Sequence, residues 1–271
     1  MLGLRLVKTT VDFDNPEHYH LYFGGHQGTP GTLITIYEWQ IAPRGGPGVG
    51  GVVRVALGVN DLAGWQARLA EQAVPFEGPF EGDGEVTLTL RDPDGTQLEL
   101  VEESLVGATP RIHHLTCLSA DLSALKAFYG DLLGMQAVSL PEEGGRGCAG
   151  WGVGGRELLK FEQTPAEQLF PARKGIGLPH HFALAVPDIE TLAAMREKLL
   201  SKGWLASEIL DRVYYQSVLT RDPDGQLVEL STLGPGVLVD ESFEELGKGL
   251  MLPAWLEQYR EEIEEDLEYL G

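Results

Sequence analysis

Two stretches of the chain, residues 54–100 and 181–230, can be laid over each other almost without gaps. The first opens RVALGVNDLAGWQARLAEQ and closes LTLRDPDGTQLELVE; the second opens HFALAVPDIETLAAMREKLLSKG and closes VLTRDPDGQLVELST. In both, an Asp stands seven positions after the opening residue (Arg54 to Asp61, His181 to Asp188) and a Glu stands eight positions after the Arg of RDPDG (Arg91 to Glu99, Arg221 to Glu229). A third copy begins HLTCLSADLSALKAFYGDLLGM, with Asp121 again seven positions after His114. Whatever one copy folds into, the chain must therefore build several times, and each copy must bury its apolar face against a neighbour.

Each copy reads the same way. An alternating apolar strand comes first, then an Asp able to cap a helix, then an amphipathic stretch such as Leu192, Met195 and Leu199 at helical spacing. Glycine-punctuated strands follow, and the Asp-Pro-Asp-Gly turn feeds a last strand, LELV or LVEL. The unit is β-α-β-β-β, and the fold class is α+β with repeated modules of mostly antiparallel sheet. Modules are expected over 51–104, 111–165 and 178–233. Residues 1–45 hold the back half of a further module, with strands at RLVKTTV, YHLYFG and TLITIYEW and without an opening strand and helix. That incomplete module should leave an open edge, a surface on which a homodimer could form. Residues 235–271 form an acidic tail, in which Leu256, Tyr259, Ile263, Leu267 and Leu270 make one helical stripe behind Pro253.

Composition removes several classes of function. The 41 acidic residues outnumber the 20 basic ones, a net charge of −21 that repels polyphosphate and argues against a nucleic-acid partner. No apolar run approaches the roughly 18 residues of a membrane span. Two cysteines, Cys117 and Cys148, and an N-terminus without a secretory apolar region lead to the expectation of a cytoplasmic protein with free thiols. The 35 glycines fit short elements joined by tight turns.

The candidate chemistry lies at the repeat's opening position. Two histidine pairs, His113–His114 and His180–His181, stand at opening strands, and the alignment selects His114 and His181. Neighbours in a strand point to opposite faces, so one member of each pair should face a shared cavity. With Glu229, these give two imidazoles and a carboxylate, a set that can hold a divalent iron while leaving positions open for reactants. A lone His at a strand start is more often structural; two at equivalent repeat positions, with a Glu late in a strand, favour a metal. The 54–100 copy has Arg54 and Glu99 at these places, an ion pair in place of a metal. Arg212 could hold an anionic substrate oxygen, and Tyr214 or Tyr215 could bond or stack on a ring, against an ordinary packed aromatic pair with a surface Arg. Cys117 reads as core, the glycine-rich loop around Cys148 lacks phosphate-binding spacing, and His20, in EHYHLYFGGH, is the reserve ligand.

At this point the residues resemble the vicinal oxygen chelate superfamily, the glyoxalase and extradiol dioxygenase group, whose βαβββ modules pair to enclose a divalent metal. VKTTVDFDNPEHYHLYFGGHQGTPGTLITIYEW, HHFALAVPD, DRVYYQSVLTRDPDG and FEELGKGLMLPAWLE look like the four-module ring-cleaving dioxygenases that act on hydroquinones. The resemblance implies His181 and Glu229 as metal ligands and Arg212 as a residue close behind them. Members of that group usually begin with another HHxT strand, which carries their first ligand; His114 would substitute if the third and fourth modules pair. Leu219 stands where both enzyme groups usually have a tyrosine donating a hydrogen bond near the metal.

The expected function is metal-dependent cleavage of a small aromatic diol, with His114, His181 and Glu229 on the metal and Arg212 and Tyr214 positioning substrate. Fe(II) is the expected metal, with Mn(II), Zn(II) or Ni(II) as alternatives. Two rivals are a glyoxalase-like isomerase or lyase, and a non-catalytic binder of aromatic ligands.

Overall fold

The computed structural model describes residues 2–39, 41–82, 84–105, 107–140 and 146–267. The first module consists of strands β1 (Arg5–Asp12), β2 (Asn15–Gly24) and β3 (Ile34–Tyr37), an antiparallel sheet in that order. The second runs β4 (Val52–Val59), α1 (Leu62–Glu71), β5 (Phe76–Gly82), β6 (Glu85–Arg91) and β7 (Gln97–Glu102). The third is β8 (Arg111–Ser119), α2 (Leu122–Leu125), which widens to π pitch over Lys126–Leu132, then β9 (Gln136–Val138), β10 (Cys148–Val153) and β11 (Arg156–Gln163). The fourth is β12 (Phe182–Val186), α3 (Ile189–Ser201), β13 (Leu210–Asp211), β14 (Tyr215–Arg221) and β15 (Leu227–Pro235), and α4 (Arg260–Asp266) follows in the tail.

The shared Asp does the same work in every copy. Asp61 accepts from the Gly64 N–H at 3.0 Å, Asp121 from Ser123 at 2.9 Å and Asp188 from Thr191 at 2.8 Å, satisfying amides that the first helical turn leaves without partners. Each helix then buries its apolar stripe on the sheet: Leu62, Trp65 and Leu69 from α1, Leu192 and Leu199 from α3. In each complete module the opening strand pairs parallel with the last, and the remaining strand pairs are antiparallel. The RDPDG turns also match. The Gly95 N–H donates to the Asp92 carbonyl and the Gly225 N–H to the Asp222 carbonyl, both at 3.0 Å, with each Gly at a positive φ that favours glycine.

The modules are joined in two ways. The second and third share one eight-stranded sheet of order β5-β6-β7-β4-β8-β11-β10-β9, closed by antiparallel pairing of their opening strands β4 and β8. The third and fourth share a core instead, in which Leu125, Phe128, Tyr129, Phe161, Leu192, Leu199, Val218 and Leu230 form one apolar cluster. The sheets of the first and fourth modules, β1-β2-β3 and β12-β15-β14-β13, end on β3 and β12, which pair with no further strand among the described residues.

The outer edge of β1 is taken by the tail. The Met251 N–H donates to the Thr9 carbonyl at 2.9 Å, the Thr10 hydroxyl donates to the Met251 carbonyl at 2.6 Å, and fully buried Lys8 is held by Asp240 at 2.5 Å and by Glu241. Ile263 and Leu267 bury against Val11. The tail helix is shorter than its apolar stripe suggests: Leu256 precedes it, Tyr259 is half exposed, and Leu270 lies outside the described residues. Among the described residues no helix is long and apolar enough to cross a membrane.

Candidate metal and substrate site

The first and fourth modules share a cavity of about 120 Å³, comparable to the ~150 Å³ apolar cavity that receives one benzene ring. Its polar end belongs to the fourth module. Parallel pairing sets Glu229 of β15 opposite Ala183 of β12, so His181, two positions earlier, lies diagonally beside it. His181 Nε2 is 3.4 Å from Glu229 Oε2, a separation that two ligands spanning one ion at roughly 2.0–2.2 Å each can have. The Glu229 side chain is only 6% exposed, and a carboxylate so placed needs a cation, a proton or a donor.

His180 and His181 do not diverge as strand alternation implies. Their Nδ1 atoms are 2.9 Å apart and both residues line the cavity, because they precede the first residue of β12. With the Nδ1 atoms facing each other, His181 Nε2 is the ring nitrogen turned toward Glu229. Burial first, then the neighbouring His181 ring, pushes His180 down to about 4. His113 and His114 repeat the 2.9 Å contact inside β8, where the register shifts so that His114 faces Ala56 and Ile112 faces Leu57, leaving His113 as the extra residue of a bulge.

The structure does not bring His114 to His181 and Glu229. Because β4 and β8 pair with each other, His114 belongs to the other sheet, with its Nε2 3.8 Å from Glu99 Oε2. There Arg54 Nε lies 3.1 Å from Glu99 Oε1 and the same guanidinium also pairs with Glu162, the ion pair that the repeat alignment requires. With the second and third modules joined through their opening strands, the fourth faces the first.

Tyr214 is also displaced from its expected place. It is 3% exposed, packs with Val7, Tyr22 and Val237, and donates to Asp240 at 3.1 Å. Val213 causes this. Its φ of +65° is a left-handed conformation, uncommon for a β-branched residue, and an Asx turn holds it there, with Asp211 accepting from the Val213 N–H at 2.8 Å. The turn sends Tyr214 inward and Tyr215 into the cavity. Arg212 does line the cavity, anchored to Asp14 at 3.0 Å.

The first module supplies residues that spacing alone hardly marked. Tyr37 and Trp39, two positions apart around the end of β3, stack at 5.7 Å, and His20 stacks on Tyr37 at 4.1 Å. Their only sequence signal is the i, i+2 aromatic alternation of TIYEW and YHLY. Burial foremost, then nearby phenols and carboxylates including Glu229, raises the pKa of Tyr37, and burial followed by Glu229 raises that of Tyr215, so both stay protonated. The Tyr22 and Tyr215 hydroxyls are also hydrogen-bonded to each other. Burial, followed by His181 and Arg212, lowers His20 to about 3 and keeps it neutral.

Modules paired around a cavity with a His–Glu couple define a class, and comparison with known proteins agrees. Residues 1–100 and 111–230 match the Glyoxalase/Bleomycin resistance protein/Dioxygenase superfamily, and the chain belongs to that family. It is 32% identical to "Putative ring-cleaving dioxygenase MhqO" of Bacillus subtilis (strain 168), over 98% of this chain and 88% of that protein. It is 29% identical to the chlorohydroquinone/hydroquinone 1,2-dioxygenase of Sphingobium indicum, over 97% of this chain and 87% of that one. A crystal structure from Bacillus subtilis described as a "putative dioxygenase" superposes with a TM-score of 0.89 at 31% identity, covering 100% of this chain and 90% of that chain. Glyoxalase I of Zea mays, at 17% identity and a TM-score of 0.66, shares the fold.

Two donors of this chain fit the divalent metal that the fold implies, the converging Nε2 of His181 and Oε2 of Glu229. Among the described residues no three His, Cys, Asp or Glu side chains converge closely enough to hold an ion.

Proposed function

We propose that the protein is a metal-dependent ring-cleaving dioxygenase acting on a small aromatic diol. The 3.4 Å approach of His181 to Glu229 at one end of a cavity sized for a single ring carries this reading. A divalent iron held by these two residues would supply adjacent positions for a substrate oxygen and for dioxygen. The rest of the work falls to the chain. Arg212, fixed by Asp14, offers a cation to an anionic oxygen, and the Tyr37–Trp39 stack gives a flat wall for the ring. Tyr37 and Tyr215, held protonated, are donors beside the carboxylate.

The test is anaerobic loading of the purified protein with Fe(II), followed by catechol, hydroquinone or chlorohydroquinone in air. Oxygen uptake equal to substrate consumed, with a yellow ring-cleavage product, is expected. Glu229→Gln and His181→Ala should each lower turnover by a hundredfold or more and reduce bound metal. No oxygen uptake with any of the diols would sink the proposal. A second reading has one observation behind it: Leu219, the strand partner of Glu229, brings no hydroxyl to the site. In that reading the protein binds aromatic diols without turnover, and tight binding with no oxygen uptake identifies it.

A further inference from the structure

One atom of the cavity is not used by the proposed reaction. His20 is 7% exposed and lines the cavity, and its Nε2 is buried without a hydrogen-bond partner. The strand that carries it is rigid. β2 is paired on both sides, with His20 opposite Thr10 of β1 and Tyr37 of β3. The ring lies between Tyr37 at 4.1 Å and Tyr22 at 4.5 Å, so its orientation is set by stacking. A buried polar atom with no partner costs free energy unless a ligand or ordered water completes it. His20 comes from the first module, whereas the His181–Glu229 couple comes from the fourth, and His20 forms no three-donor metal cluster with them among the described residues.

We propose that His20 Nε2 receives the second hydroxyl of the aromatic substrate and so selects diols over monophenols. This rests on the reading of the cavity as an aromatic-diol site and names what reads the diol. A ring hydroxyl is both donor and acceptor, so it completes Nε2 whichever tautomer the imidazole adopts. One hydroxyl is held at the His181–Glu229 end, and the other meets His20. A site built to bond a hydroxyl rejects the analogue that lacks it, because its own buried group is then left unpaired. Tyr37 contributes by fixing the imidazole plane, a positioning role.

The test compares hydroquinone and catechol with phenol on Zn(II)-loaded protein, in which no turnover consumes the ligand. Binding is measured by calorimetry for the wild type, His20→Phe and His20→Asn. His20→Phe keeps the stack on Tyr37 and removes both nitrogens. The wild type should bind at least one diol about tenfold or more tighter than phenol, the value of one well-made hydrogen bond in a dry site. His20→Phe should reduce that preference to nearly one, with unchanged metal content and an undiminished melting temperature, since Nε2 bonds nothing in the folded chain. His20→Asn should retain part of the preference and stands in if His20→Phe fails to fold. A diol preference that survives both variants, a wild type that binds neither ring, or metal content that falls in His20→Phe would overturn the proposal. Oxygen uptake is scored separately. Turnover with a preference indifferent to His20 sinks this inference alone, and a His20-dependent preference without turnover sinks only the dioxygenase reading.

Discussion

The pair of modules two and three and the pair of modules one and four carry the same repeat, yet one closes on a cluster of ion pairs and the other on a cavity. In the first pair the opening position of β4 is Arg54, and its guanidinium joins Glu99 and Glu162 while His114 approaches Glu99 from β8. Opposite charges on facing strands complete one another, so the backbone arrangement needs no guest. In the second pair the equivalent opening residue is His181, an imidazole 3.4 Å from the Glu229 carboxyl in place of a guanidinium. The residue type at this one repeat position thus separates an ion-paired cluster from a His–Glu couple that opens onto a cavity. The difference lies in side chains, since the capping Asp bond and the backbone hydrogen bond that closes the RDPDG turn recur in both copies.

The strongest way to break this comparison is to remove the guanidinium. Arg54→Ala leaves Glu99 and Glu162 partly or wholly buried without their guanidinium, at 18% and 7% side-chain exposure. Breaking a buried ion pair from one side typically costs about 3–5 kcal/mol. Urea unfolding should show a loss near the lower end of that range for Arg54→Ala and less than about 1 kcal/mol for His181→Ala, which opens onto a cavity. Equal losses would mean that the two positions are not the contrast described.

The two RDPDG turns give a second contrast. Asp92 of the second module is half-buried and accepts from the Thr96 N–H at 2.8 Å. Asp222 of the fourth is 4% exposed, accepts from Gln226 and Asp224 amides at 2.9 and 3.0 Å, and takes the Tyr129 hydroxyl at 2.8 Å. Burial, partly offset by these hydrogen bonds, pushes its carboxyl up to about 6 from an ordinary 3.8. Between those two pH values the folded chain keeps a proton that the unfolded chain has lost, so this group's contribution to stability falls as pH rises through the window. Asp222→Asn removes that dependence. The stability of the variant relative to the wild type should climb by roughly 2 kcal/mol from pH 4 to pH 7, as measured by chemical denaturation at each pH. A flat difference would show that Asp222 is ionised in the fold at no unusual cost.

The repeat spacing makes the modules, the capping residues, the Arg54–Glu99 pair and the His181–Glu229 couple legible in the sequence itself, because each depends on contacts inside one copy. Which copies pair does not. The β4·β8 junction that takes His114 away from Glu229 joins residues of two modules, and HHxxx strands of the third and fourth modules look equally able to meet. The bulge in β8 and the left-handed Val213 defeat alternation in the same way: one inserted residue or one reversed dihedral moves every later side chain to the other face. His20 was visible only as a reserve, since nothing in EHYHLYFGGH tells which imidazole loses its partner when β2 is buried.

That reversal at Val213 yields the smallest expected effect and the finest test of the contrast between packed and open faces. Tyr214 and Tyr215 are chain neighbours with the same side chain, yet one hydroxyl donates to Asp240 in the packed layer beside Lys8 and the other lines the cavity near Glu229. Tyr214→Phe removes one hydrogen bond to a carboxylate from a packed layer, and should lower stability by about 1–2 kcal/mol while leaving diol affinity within a factor of about two. Tyr215→Phe deletes a hydroxyl that faces the cavity and partners the buried Tyr22 hydroxyl, so it should cost a comparable ~1–2 kcal/mol of stability while, unlike Tyr214→Phe, lowering diol affinity or turnover several-fold. The two variants need only thermal melts and one binding isotherm each. If Tyr214→Phe is the one that weakens ligand binding, the faces of this turn are exchanged and the cavity reading of Tyr215 falls with them.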